Sequence, residues 1–489
     1  MSFNPMPTDE YGNAKIAFGD STALDAFQRL RTSQAHRIFD SQQEYGLDTL
    51  RTWDCTANGT LPTILSPNGS VTNGSNAVGP RDSNTEMTPI TVSTTNGDYS
   101  ILQSRQYTRY IPGFSHLVLM IGIFASGADW SANLVLRTST SGSASDANSV
   151  AQADWNIDTF GAGAKNPSGI TLDLTKTQIL FIAAQWLGVG RVIMGFDING
   201  RLYPAHQFLN ANELTVPYCQ TFNLPVRYEI RNTGAAESKA RVGYFDHANG
   251  AFLETVRATA GGTINCVCCS VQSEGADEAR GFPQSQNPGT ASIGVTTRRP
   301  VFSIRPSATF SGLTNRGHIE IEDYWLTAAT NSSIYEVVIG GTLTGASWLP
   351  VGNPITAGSF VVGIRYKILT VGTTNYTLIG ASANTVGVSF VATGAGTGTG
   401  TAVPENSIAE YDISATAIVG GRTVYTGEVL AGSGATRNSA SAKADFRNPT
   451  VLSKIDALAA TQLPVTIVCT ATSGTSNISA GMNWHEQVN

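Results

Sequence analysis

Three cysteines fall within four residues, Cys266, Cys268 and Cys269. Thiolates this close could hold zinc, but a tetrahedral site takes four ligands, usually as two pairs. No second pair lies nearby, so these thiols read as small buried hydrophobes. On a regular strand Cys266 and Cys268 would face one side and Cys269 the other. With Cys55, Cys219 and Cys469 they make a poor disulfide framework, and all six read as reduced. The histidines, at 36, 116, 206, 247, 318 and 485, form no i,i+2 or i,i+4 pair. His206 and His247 lie near a strand end and in a loop, where a ligand or an acid/base group would sit. Glycoside hydrolysis needs two carboxylates at a fixed separation. Asp197, Glu229, Asp246, Glu320, Glu322 and Asp323 are candidates, and Glu320-Ile321-Glu322 reads first as strand alternation. No His-Glu-x-x-His, Gly-x-Ser-x-Gly or Walker pattern occurs. The run Gly396-Thr397-Gly398-Thr399-Gly400 precedes no helix that could hold a phosphate, and it reads as a flexible turn. These residues imply no enzyme, no cofactor and no metal. Sugar stacking has more candidates: Trp130, Trp155, Trp325 and Trp348 lie near expected loops or strand ends, whereas Trp186 and Trp484 read as core.

The elements that must position such groups are strands. The chain has 489 residues, long enough for about three domains and a sizeable core. Charged residues are 13% of it, against about 25% in an average soluble protein. Ser, Thr, Asn and Gly take their place, which suits short strands and tight turns. The net charge of −6 and the lack of a basic run exclude nucleic acid as the main partner. The longest apolar run, 117–124, is eight residues against the roughly 20 of a membrane helix, so no membrane insertion is expected. No secretory leader is expected at the N-terminus.

The fold class is all-β: tandem β-sandwich or jelly-roll domains, a small inserted β module and an extended N-terminal arm. Residues 1–55 form the arm, with a short helix possible after Asp20 and Ser21. Residues 56–98 read as a surface linker or meander rich in Asn-Gly turns. Residues 99–280 form a first sandwich, with a hairpin turning at Asn199-Gly200. Residues 281–300 read as a polar connector. Residues 300–489 form a second sandwich, with a short helix expected at 453–460. The glycine-rich stretch 355–403 breaks its rhythm and reads as a module with strands at 366–371, 376–379 and 388–392. With the insert removed, the flanking sequence reads as one continuous hairpin.

Residues 19–31, carrying Asp25-Ala26-Phe27-Gln28-Arg29-Leu30-Arg31, and then Ile38-Phe39-Asp40-Ser41-Gln42 resemble the opening of tailed-bacteriophage virion structural proteins. Residues 186–192, 224–230 and 269–275 resemble the central β domain of those proteins, and 410–418 their C-terminal domain. Residues 372–381 and the Gly/Thr run are similar to a small module found in phage tail and fibre proteins. Gln28 and Ile38 depart from the usual Gly and Leu.

The resemblance implies a non-enzymatic virion protein assembled in the host cytoplasm, of the tail-fibre or appendage type. The alternatives are a head-decoration protein and, more remotely, a polysaccharide hydrolase. Phe27, Arg29, Leu30, Arg31 and Phe39 are the expected assembly residues, docking the arm onto this chain's body or a neighbour. Each fully buried apolar side chain would contribute roughly 1.5–3 kcal/mol. Expected partners are two further copies in a homotrimer, other virion proteins and a host surface glycan. Removal of residues 1–55 is expected to leave a folded body.

Overall fold

The computed structural model describes residues 36–42, 52–57, 77–79, 81–432, 436–437, 451–453 and 462–487, with short gaps at 105, 126–129, 141–142, 220, 235, 276–280, 290 and 316. The chain is all-β, built as tandem antiparallel sandwiches.

In the first sandwich, one sheet runs Arg201–Phe208, Val192–Ile198, Gln178–Ala184, His116–Ile123, Gly262–Ser273, Thr88–Val92 and Ala77–Val78. The facing sheet runs Thr52–Ala57, Tyr99–Ser104, Val226–Gly234, Glu237–Phe245, Gly250–Arg257, Trp130–Arg137 and Ser149–Ala151. Alternate residues of both sheets meet in one core, Met120, Leu180, Met194 and Val271 against Leu134, Tyr228, Val242 and Leu253. The hairpin at Asn199-Gly200 forms with both residues at positive φ, 57° and 80°, as a type I′ turn requires.

Two sequence expectations change here. His36–Gln42 pairs with Gly262–Ser273 and Thr52–Ala57 pairs with Tyr99–Ser104, so these parts of the arm are strands of the first sandwich. Thr88–Val92, read as linker, is also a core strand, with Ile90 and Val92 buried. The sparse apolar residues of that stretch fall on alternate positions, which is enough to bury one face.

In the second sandwich, Ser476–Gln487 lies between Phe282–Gln286 and His318–Ala328. Ile293–Val295 also pairs with Ser476–Gln487. The opposing sheet runs Leu349–Pro350, Ala409–Asp412, Arg299–Pro306, Val465–Ala471, Ser333–Ile339 and Arg422–Val429. Their shared core contains Phe302, Ile304, Tyr324, Val337, Ile467 and Trp484. The stretch read as a connector therefore supplies two strands. Phe282–Gln286 is an edge strand with mostly exposed side chains, where polar residues and Pro283 are tolerated, and Ile293–Val295 adds Val295 to the core. The helix expected at 453–460 lies outside the described residues, apart from Ser453, which ends the strand Val451–Ser453.

The insert has its own four-stranded sheet, Ile355–Thr356, Thr401–Pro404, Arg365–Thr370 and Ser389–Val391. Its core is Phe360, Tyr366, Ile368, Tyr376 and Phe390. The flanking chain pairs antiparallel in two stretches: Thr342 with Val419 and Thr344 with Ala417 in a small sheet of their own, then Leu349 with Tyr411 and Pro350 with Glu410 at the edge of the second sandwich. Tyr376–Ile379 is a 3₁₀ turn, not a strand. Asn375 caps it through the Thr377 amide and Gly380 closes it at φ 107°, and these end signals override the β-favouring residues between them.

Candidate functional site

The strands His318–Ala328 and Ser476–Gln487 pair with one irregularity: Ile321 is opposite Trp484 and Asp323 opposite Asn483, leaving Glu322 as an inserted residue. Ile319 and Ile321 are buried before this bulge, and Tyr324 and Leu326 after it. The inserted residue resets the alternation, so the consecutive carboxylates Glu322 and Asp323 both border the same cleft.

That cleft has a volume of about 620 Å³. The edge strand residues Gln284, Ser285 and Gln286 form one wall and Val351, Gly352 and Asn353, leading into the module, another. Glu322, Asp323 and Asn483 complete it. Asn483 Nδ2 donates to Asp323 Oδ1. Gln284 Nε2 donates to the Asn406 carbonyl at 3.2 Å, and the Gly352 amide donates to Gln286 Oε1 at 3.4 Å. His485 Nδ1 stands 3.7 Å from Glu322 Oε2. Trp325 is not among the residues lining the cleft; it is the register partner of Gly481, two positions along the strand from Asp323, and Gly481 adjoins the carbonyl of the lining residue Gln286. A Cβ on Gly481 would stand 2.8 Å from Trp325 Nε1 and 2.9 Å from Cε2, so the indole lies across the bare backbone of this glycine. Trp325 itself is only partly buried.

The other carboxylate candidates lie elsewhere. Asp246 accepts from the Ala248 and Asn249 amides, 2.7 Å each, and shapes its own loop. Asp197 is half-buried on a sheet strand and Glu320 is exposed. Glu229 belongs to a buried ion network on the outer face of the first sandwich. It is 2.9 Å from Arg227 and 3.9 Å from Arg241. Arg241 in turn binds Glu254 at 2.7 Å and Asp146 at 2.9 Å. Burial pushes the Glu229 carboxyl up, but Arg227, Arg231, Arg241 and Arg137 together outweigh it and hold it at about 2. Ionised at neutral pH and ringed by guanidiniums, Glu229 is a structural anion.

Of the two histidine candidates, His247 is half-buried in the loop after Phe245, and His206, like the non-candidate His116, is a structural residue. His206 is buried and its Nδ1 accepts from the Asn156 amide at 3.1 Å. His116 is fully buried, with Nδ1 3.2 Å from the Tyr244 hydroxyl. Desolvation lowers both imidazoles to about 4.

The cysteine phase differs from expectation. A bulge between Cys266 and Cys268 puts Cys266 and Cys269 into the core and leaves Cys268 half-buried. Among the described residues no three His, Cys, Asp or Glu side chains gather as a metal site would require. The Gly/Thr run is tied down: Gly400 donates to Thr374 Oγ1 at 2.9 Å, and a Cβ there would lie 2.4 Å from the Val371 carbonyl.

Of the expected assembly residues, Phe39 is buried in the first core, 2% exposed. The apolar half of its expected role is thus met by this chain's own body. Phe27, Arg29, Leu30 and Arg31 lie outside the described residues.

The cleft's amide residues Gln284, Gln286, Asn353 and Asn483 carried no sequence signal, because chain segments far apart in sequence bring them together. One signal was present: the doublet Glu322-Asp323 breaks a strict inward-outward alternation, as an inserted strand residue must.

The fold and these sites define the class as a tandem β-sandwich protein with an inserted β module. No family model matches the chain, and no curated protein matches it. Among solved structures, it is similar at 8% identity to the infectious bursal disease virus VP2 subviral particle, over 96% of this chain and 84% of that one, with a TM-score of 0.10. A structure of the Gx strain of the same virus gives 8% identity over 94% and 83%, with a TM-score of 0.08. Scores this low carry no argument about this chain.

Proposed function

We propose that the chain is a non-enzymatic structural protein of a tailed-bacteriophage particle, of the tail or fibre-type appendage class. The observation that carries this reading is the module. It has its own sheet and core and joins the second sandwich through two antiparallel flanking segments, paired at Leu349–Tyr411 and Pro350–Glu410. A unit attached this way can be presented without disturbing the fold that bears it. The sequence resemblance to phage virion proteins supplies the setting. Assembly as a homotrimer, with other virion proteins as neighbours, follows from the same reading.

Immunogold electron microscopy on intact particles, with an antibody to this chain, tests the proposal. Label on the tail is the expected result. Label over the head replaces the appendage with a head-decoration role. Absence of label on any particle removes the virion assignment.

A further inference from the structure

We infer that the cleft beside the Glu322-Asp323 bulge binds a neutral saccharide, with Trp325 as its stacking face. The inference deepens the appendage reading, on which it rests, by naming what such a surface would hold.

A pyranose presents hydroxyls around its rim and C–H bonds on its faces. Its recognition needs planar donors and acceptors at the rim and an aromatic face against the ring. The cleft supplies the first set. Gln284, Gln286, Asn353 and Asn483 each carry donor and acceptor, and Glu322 and Asp323 add carboxylates. Asp323 is 7% exposed and bonded to Asn483, so this part of the wall is held in place before any ligand arrives. The volume, about 620 Å³, lies within the usual range for small-ligand sites. The lining is polar, which argues against an apolar ligand.

Trp325, partly exposed next to the cleft's Gln286 wall, would supply the second set. Trp155 and Trp484 are buried in the two cores, and Trp130 and Trp186 pack against the first. Trp348 has the Arg305 guanidinium 3.9 Å from its ring centroid, so a cation covers that face. Among the tryptophans whose side chains are described, Trp325 is outside the core clusters and without a guanidinium on its ring, and its indole rests against the bare backbone of Gly481.

Charge sets the ligand class. Two carboxylates and no Lys or Arg line the cleft. Uronic acids, sulfated sugars and nucleic acid would be repelled, and neutral sugars would not.

Saturation-transfer NMR on the full chain tests the inference. The neutral probes are maltose, cellobiose, lactose, mannobiose and chitobiose, and the acidic probes are digalacturonate and a heparin disaccharide. Saturation should pass to at least one neutral probe and to neither acidic one. Trp325→Ala should weaken that binding about tenfold, the scale of a single aromatic stacking interaction. Asn353→Ala, on an exposed loop of the opposite wall, should weaken it in the same direction and keeps the test valid if Trp325→Ala fails to fold. The inference falls if no neutral probe receives saturation, if acidic probes bind equally, or if both variants bind as the parent does. Tail label without sugar transfer would remove this inference alone. Sugar transfer without particle label would remove the virion reading alone.

Discussion

Phe39 and Val271 are register partners on adjacent strands, and both are buried in the first core. A segment that looked like a docking arm is thereby a structural strand. Phe39→Ala should cost about 3–5 kcal/mol, the usual range for removing a buried aromatic ring. Urea unfolding measures it, and a destabilisation below about 1 kcal/mol would show that the ring is not part of the core. Deleting residues 1–55 removes this strand and most of Thr52–Ala57, so the remaining chain should unfold at lower urea or aggregate. This reverses the expectation drawn from sequence.

Glu229 neutralises part of a dense set of arginines. Glu229→Gln leaves Arg227, Arg231 and Arg241 with too little negative charge among them, and should cost about 3–5 kcal/mol. The folded carboxyl, at about 2, sits below its unfolded value near 4.5. Its stabilisation is therefore complete above pH 4.5 and drains away as pH falls toward 2. Denaturant midpoints across that window should fall for the parent chain and change less for the variant. Equal slopes would show that Glu229 is not the group responsible.

His116 acts in a higher pH window. Its folded value of about 4 lies below the ordinary 6.5, so the unfolded chain takes up its proton first on acidification. Stability should decline from pH 6.5 to 4 by up to about 3 kcal/mol from this residue alone. His206 works in the same direction. Thermal melts of His116→Leu should show a shallower decline over this range. A slope identical to that of the parent would place the cause elsewhere.

The module should be dispensable for the fold around it. Replacing residues 354–405 with Asn-Gly reconnects strands already paired at Leu349–Tyr411 and Pro350–Glu410. Differential scanning calorimetry should find the second sandwich melting within a few degrees of the parent. Disappearance of that transition would mean that the insert is part of the second core.

Thiol reactivity gives an independent reading of strand phase. Cys268 should be alkylated in the native protein before Cys266, whose thiol is buried and pushed up to about 12. Mass mapping after brief iodoacetamide treatment distinguishes them, and faster labelling of Cys266 would mean that the bulge lies elsewhere on the strand.

The β class, the hairpin at Asn199-Gly200 and the interruption at 355–403 are legible in the order of the residues alone. These rest on local physics: alternation of side chains, turns that require positive φ, and glycine density. What local patterns leave open is set by long-range packing. Glu229 looks like one polar residue of an alternating strand, and only the register with Arg241 and Glu254 makes it a buried anion. A one-residue bulge turned Cys269 inward, and another brought Glu322 and Asp323 into one cleft. Edge strands such as Phe282–Gln286 bury too little to show a pattern, and their pairing with Ser476–Gln487 is set by the assembled sheet. Side chains from four distant segments share that cleft because cross-strand neighbours are chosen by register, and register belongs to the whole sheet.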